Sequence, residues 1–199
     1  MVFGFGFFKR GAKARKARIG KVYQHLVVQA RQPVFYDSFK VADTLSGRFD
    51  MIVLHAFLFF QRLKDEDASA KEFAQEVFDA FFEDMDGALR ELGVGYQAVP
   101  KRIKKMGEAF YGRVSAYDIA LESALKDGDL SPLSDALHRN IFPDEDGQPK
   151  AVVGLADYMQ ESARGLATYD LEALYDANFS LPNPDRFLMD SPKKEKAHV

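Results

Sequence analysis

FYDSFKVADTLSGRFDMIVLHAFLFFQRL, residues 35–63, is the stretch whose reading decides the fold. A polar, Gly-punctuated segment runs without a break into a run from Met51 to Phe60 that is apolar apart from His55. A helix apolar nearly all round belongs at the centre of a domain, surrounded by its neighbours. The segment feeding it carries Asp43, Thr44, Gly47, Arg48 and Asp50, residue types that cap, turn and pair charges. It reads as a fitted structural element. It holds no nucleophile, metal cluster or phosphate loop.

Working outward, apolar residues at helical spacing mark further helices on both sides. Val22, Tyr23, Leu26, Val27 and Ala30 give one that stops at Pro33. Residues 35–47 read as irregular or as a short helical turn, and 48–64 as the buried helix. From Ser69 to Leu92, Phe73, Val77, Phe81, Met85 and Leu89 share a face, with Gly93 placed as a left-handed C-terminal cap. Pro100 opens a long helix ending near Gly128, and Ser131–Pro132 repeats a cap-then-proline start. Val152–Thr168 and a short helix capped by Asp170 complete the set. No alternating strand pattern appears. The expected fold is all-α: a single globular domain of about seven helices around a central one, spanning residues 22–180. A flexible basic and aromatic arm is expected over 1–21, and a disordered tail over 181–199, where two prolines precede KKEK.

The chain has 199 residues, 47% hydrophobic and 29% charged, enough for one well-buried core. It has no cysteine, so thiolate chemistry, disulfides and Cys-based metal sites are excluded. The net charge of −3 conceals an asymmetry. No acidic residue precedes Asp37, whereas Lys9, Arg10, Lys13, Arg15, Lys16, Arg18, Lys21 and Arg31 do, leaving 19 basic against 30 acidic residues beyond. That split predicts a basic arm for an anionic partner on an acidic body. The longest apolar run is about half of what a bilayer crossing needs, and the start has its apolar part ahead of its basic part, unlike a secretory signal. A cytoplasmic protein is expected.

Catalytic signatures are sparse. No His-Glu-x-x-His, Gly-x-Ser-x-Gly or Walker loop occurs, and Gly93-Val94-Gly95 lacks the lysine and preceding strand of a phosphate loop. Asp135 and His138 have one metal-like spacing, on what reads as a solvated face. His55 reads as a core histidine bonded to a carbonyl or carboxylate in preference to a haem or metal ligand.

Three blocks carry a resemblance: 35–63, then FDAFFEDMDGALRELGV at 78–94, then MGEAFYGRVSAYDIAL at 106–121. Within them Phe35-Tyr36, Asp43-Thr44, Gly47-Arg48-Phe49-Asp50-Met51, Leu54-His55, Arg62-Leu63, Asp84-Met85-Asp86, Leu89-Arg90-Glu91, Gly93-Val94-Gly95 and Ala109-Phe110-Tyr111-Gly112-Arg113 stand in register. The pattern resembles the ubiquinol–cytochrome c chaperone family, whose members help assemble the respiratory cytochrome bc1 complex. It departs at Tyr96, where the family often has an acidic residue. The resemblance implies a non-catalytic assembly factor without cofactor or metal, whose client is newly made cytochrome b or another bc1 subunit. A ribosome and a second assembly factor are further implied partners; DNA is not. The alternatives are a general membrane-associated interaction module and a haem- or small-molecule-handling enzyme.

Two residue sets follow as expectations. Asp43, Thr44, Arg48, Asp50, Asp84, Asp86, Arg90 and Arg113 are expected to act as a structural clasp or as the client-facing site, their charged members forming one polar cluster against the central helix. Phe3, Phe5, Phe7 and Phe8, with Lys9, Arg10, Lys13, Arg15, Lys16, Arg18 and Lys21, are expected to dock the arm peripherally on the inner membrane face through anionic lipid.

Overall fold

The computed structural model describes residues 5–142 and 149–188, with side chains over 11–142 and 150–188. The described residues form α1 (Phe5–Ala30), α2 (Pro33–Asp37), α3 (Leu45–Leu63), α4 (Ala68–Glu91), α5 (Val99–Asp127), α6 (Ser131–Ile141), α7 (Pro149–Leu166) and α8 (Leu171–Tyr175), closed by a 3₁₀ turn, Pro184–Phe187. The expected all-α fold is the observed one, and the seven expected helices are α1 and α3–α8. The stretch 35–47, read as irregular or as a short helical turn, holds the end of the one-turn α2 and the first turn of α3, which begins at Leu45 and not at 48.

Helix α3 is the hub. Met51 to Phe59 are all buried, and α1, α4, α5, α6 and α7 pack around them. Full burial of a Leu or Phe side chain contributes about 1.5–3 kcal/mol, so this run anchors the domain. His55 sits at 0% exposure with both ring nitrogens engaged. Nδ1 donates to the Met51 carbonyl at 2.7 Å, and Nε2 accepts from the Tyr158 hydroxyl at 2.9 Å. Neither nitrogen is left for a metal or haem. The core-histidine reading holds.

Local chemistry sets the helix ends. Thr44 caps α3 by accepting from the Gly47 N–H at 3.2 Å, and Asp67 caps α4 through the Ala70 N–H. Gly93 has φ +77° and ends α4 with the Val94 N–H donating to the Leu89 carbonyl, the left-handed cap foreseen for it. Ser131 is not the cap of α6. It lies inside the first turn, and the Asp129 carboxylate accepts its N–H at 2.9 Å.

Both expected domain boundaries move. No break follows Lys21, because α1 runs through it as one helix with Ile19 buried. Arg15 bonds Glu76 at 2.9 Å and lies 3.3 Å from Glu72; Arg18 pairs with Glu172 and Asp176, each at 2.8 Å. These pairs tie the basic segment to α4 and α8. At the other end the expected tail begins too early. Residues 181–188 are placed, with Pro184 and Phe187 buried and Arg186 3.1 Å from Glu161. Gly154 makes that docking possible: a Cβ there would lie 2.2 Å from the Phe187 carbonyl oxygen. Residues 189–199 of the expected tail fall outside the described residues.

Candidate functional site

Helix α3 enters the domain between two clefts. The segment before it folds back so tightly that a Cβ on Gly47 would lie 2.0 Å from the Ala42 carbonyl oxygen. This close approach opens a polar cleft of about 420 Å³, lined by Lys40, Thr44, Gly47, Asp50, Arg113 and Arg139, among others. On the other side of Arg113 lies a groove of about 300 Å³ between the start of α3, the end of α4 and the start of α5. Leu45, Phe49, Leu89, Met106 and Ala109 give it apolar walls, and Arg102 and Lys105 stand at its rim. Beside it, Leu92 and Tyr96 are 65% and 80% exposed.

Asp50 and Arg113 form the wall between the clefts. Arg113 Nη2 lies 2.7 Å from Asp50 Oδ1, with the side chains only 16% and 6% exposed. Arg113 also donates from Nη1 to the Ala109 carbonyl at 3.2 Å and lies over the Phe49 ring. Its Nε is buried without a hydrogen-bond partner among the described residues. Burial pushes the Asp50 carboxyl up, to about 6, against the opposing pull of the Arg113 guanidinium.

The single charge cluster expected from the sequence is not there. Its members separate into local pairs with no hydrogen bond or ion pair joining them among the described residues. Arg48 pairs with Asp43 at 2.6 Å, with side chains 54% and 57% exposed. Arg90 pairs with Asp86 at 2.5 Å one turn away on α4, and its guanidinium lies over the Tyr96 ring. Asp84 accepts from the Tyr23 hydroxyl at 2.6 Å, on the face toward α1. The physical reason is helical geometry: residues 84, 86 and 90 on one helix cannot all face one entry point. Only Thr44, Asp50 and Arg113 line the clefts, and of these Asp50–Arg113 is the buried pair, while the exposed ones contribute about 0–1 kcal/mol each.

Among the arm residues, Lys13, Lys16 and Lys21 are exposed, whereas Arg15 and Arg18 face the acids described above. Phe3 and the side chains of Phe5, Phe7, Phe8, Lys9 and Arg10 fall outside the described residues. Arg15 meets Glu72 and Glu76 while Tyr23 meets Asp84, so α1 runs parallel to α4. Its basic start therefore lies toward the beginning of α4, with roughly 25 Å of helix between Glu72 and Leu89 at the groove.

Lys40, Arg102, Lys105 and Arg139 were not singled out from the sequence, and Met106 was read there only as part of an apolar helix face. They come from three separated segments, and only the KRIKK run at 101–105 was a visible signal.

Asp50 and His55 titrate in the same window with opposite sign. The His55 imidazole is held down to about 4 by burial, against 6.5 when unfolded, so its contribution is lost as pH falls from 6.5 to 4. Asp50 is raised, so its contribution is present below about 4 and lost as pH rises through 6. Asp50→Asn removes the Asp50 contribution. The substitution is therefore expected to cost more stability at pH 4.5 than at pH 7, measured by urea unfolding at both values. An equal cost at the two would refute the assignment.

Among the described residues, no cluster of three or more His, Asp or Glu side chains is placed to hold a metal ion. No helix there is long and apolar enough to cross a membrane.

The fold and sequence have known relatives. The crystal structure of the Cbp3 homolog from Brucella abortus superposes with a TM-score of 0.80 at 41% identity, covering 92% of this chain and 99% of that one. The ubiquinol-cytochrome-c reductase complex assembly factor 1 of Xenopus laevis is 24% identical over 154 residues, 77% of this chain and 74% of its own. The Homo sapiens protein of that name is 25% identical over 154 residues, and there the chain spans half of the relative's length. The sequence profile of the ubiquinol-cytochrome C chaperone family matches residues 37–181, from the end of α2 to the approach of the 3₁₀ turn and including both clefts. The chain belongs to the ubiquinol-cytochrome C chaperone family.

Proposed function

We propose that this chain is a non-catalytic assembly chaperone for the respiratory cytochrome bc1 complex. It holds newly made cytochrome b at the cytoplasmic face of the inner membrane until partner subunits arrive. The observation that carries this reading is the family match across 37–181, supported by 41% identity to the Brucella Cbp3 homolog over nearly its whole length. The site agrees with binding better than with turnover. Its buried charges are held in a structural pair, His55 is locked on both nitrogens, and its walls are apolar.

Deleting the gene is expected to abolish cytochrome b accumulation and bc1 activity while leaving other respiratory complexes intact. The chain itself is expected to be absent from purified mature complex. Normal bc1 in the deletion strain, or stoichiometric presence in the complex, would overturn the reading.

Placement at the membrane rests on the start of α1. Each basic residue near an anionic surface contributes on the order of 1 kcal/mol, and Lys13, Lys16 and Lys21 are exposed to do so. Arg15 and Arg18 are committed to carboxylates of α4 and α8, so they are withdrawn from that role. Lys9, Arg10 and the four Phe residues of 1–8 add charge and insertion depth. Full-length protein is expected to float with phosphatidylglycerol-containing vesicles at low salt, and Lys13→Glu with Lys16→Glu to reduce flotation. Equal flotation by wild type and variant would remove the arm as the anchor, and ribosomal RNA phosphates would become the competing partner for its charges.

A further inference from the structure

We propose that the groove between the starts of α3 and α5 and the end of α4 is the client-binding site, and that it accepts a segment pairing an apolar side chain with a carboxylate. This deepens the chaperone reading and rests on it. The groove has the composition of a recognition site: apolar walls with a charged rim of one sign. Leu45, Phe49, Leu89 and Met106 offer a surface for a Leu- or Phe-sized side chain. The lining contains no acidic residue, while Arg102 and Lys105 at the rim are exposed and take no ion-pair partner among the described residues. Arg113 does not add to that charge, because Asp50 offsets it at 2.7 Å. Lys101, exposed, extends the basic edge along α5, whereas Lys104 lies 3.8 Å from Glu108 and is partly offset. Charge complementarity therefore selects an acidic occupant and disfavours the basic flanks of a membrane segment.

Leu92, one turn beyond the groove's Leu89 on the chain, and Tyr96 are both strongly exposed, further apolar surface for an extended or helical occupant. The Tyr96 ring is held by Arg90 over its face at 5.4 Å.

The test uses the full-length protein and two synthetic fluorescent peptides of equal length, one alternating Leu with Asp and the other Leu with Lys. Wild type is expected to bind the Leu/Asp peptide about tenfold or more tightly than its Leu/Lys twin. Arg102→Glu with Lys105→Glu is expected to invert that preference. Both positions are exposed, so folding is preserved, and an unchanged melting temperature verifies it. In cells, p-benzoylphenylalanine at Leu45 is expected to crosslink to a bc1-subunit peptide containing an acidic residue next to an apolar one, and the rim reversal to abolish the adduct. Peptide binding without charge preference, or a preference untouched by the reversal, overturns the proposal. So does an adduct confined to lipid, or loss of vesicle flotation in the reversal variant with peptide binding retained. If the deletion strain lacks bc1 and the reversal variant restores it fully, the chaperone reading stands and this groove falls. Normal bc1 in the deletion strain removes the chaperone reading itself.

Discussion

Arg113→Ala is expected to lower the stability of this protein by about 3–5 kcal/mol, a large part of the 5–15 kcal/mol typical of a domain. The substitution leaves the Asp50 carboxylate 6% exposed with its cationic partner gone. An unpaired buried charge costs far more than the pair contributes, because neither water nor a counter-ion replaces what was lost. In a chain of this size the melting temperature is expected to fall on the order of 10 °C. The loss should shrink as pH falls toward 6, because without the opposing pull of Arg113 the buried Asp50 carboxyl takes up its proton above pH 6 and ceases to be a charge. Replacing both partners with apolar residues, Asp50→Leu with Arg113→Met, is expected to recover most of the loss, since the desolvation cost disappears with the charges. A single-substitution loss under about 1 kcal/mol would place the pair in the class of solvated surface bridges.

Gly47→Ala is the second large effect. Its Cβ would fall 2.0 Å from the Ala42 carbonyl oxygen and 3.1 Å from its carbon, backbone atoms that yield only if the whole fold-back moves. Overpacking costs about 1–3 kcal/mol, and displacing the first turn of α3 also forfeits the Thr44 cap, about 1 kcal/mol more. The control is Gly87→Ala, near the C-terminal end of α4 with nothing near its added Cβ. That change is expected to be neutral or to stabilise by up to about 1 kcal/mol, as alanine does in a helix. Thermal unfolding of both variants decides it. Equal behaviour at the two glycines would mean that the segment before α3 gives way freely. Because the first turn of α3 also carries Leu45 and Phe49 of the apolar groove, Gly47→Ala is also expected to weaken client binding while the distant start of α1 still reaches membranes.

How much of this was legible without coordinates differs between the helices and the site. The apolar run from Met51 to Phe60 dictated a buried central helix, because no other placement removes its nine apolar residues from water. Caps and breakers at Gly93, Pro100, Gly128 and Asp170 carried local φ and hydrogen-bond requirements that any fold would respect, so those helix ends could be read directly, whereas the start of α3 was read at 48, three residues late. The role of His55 was readable for the same reason: a histidine amid apolar residues needs internal partners, though only the structure named Tyr158, 103 positions away.

Charge was the misleading signal. The basic start read as a free arm, yet Arg15 and Arg18 meet acids from α4 and α8, partners as far as 158 residues away that no local pattern reveals. The charged residues around α3 read as one cluster because they share sequence blocks, whereas helix rotation turns Asp84 toward α1 and away from the Asp86–Arg90 pair. What the sequence by itself determined was therefore the set of helices, the centre of the domain and the family. Which charges are buried together, and the apolar groove with its basic rim, were decided only by tertiary packing. Both depend on the angles at which α3, α4 and α5 meet, and those angles are fixed by contacts between segments far apart in the chain.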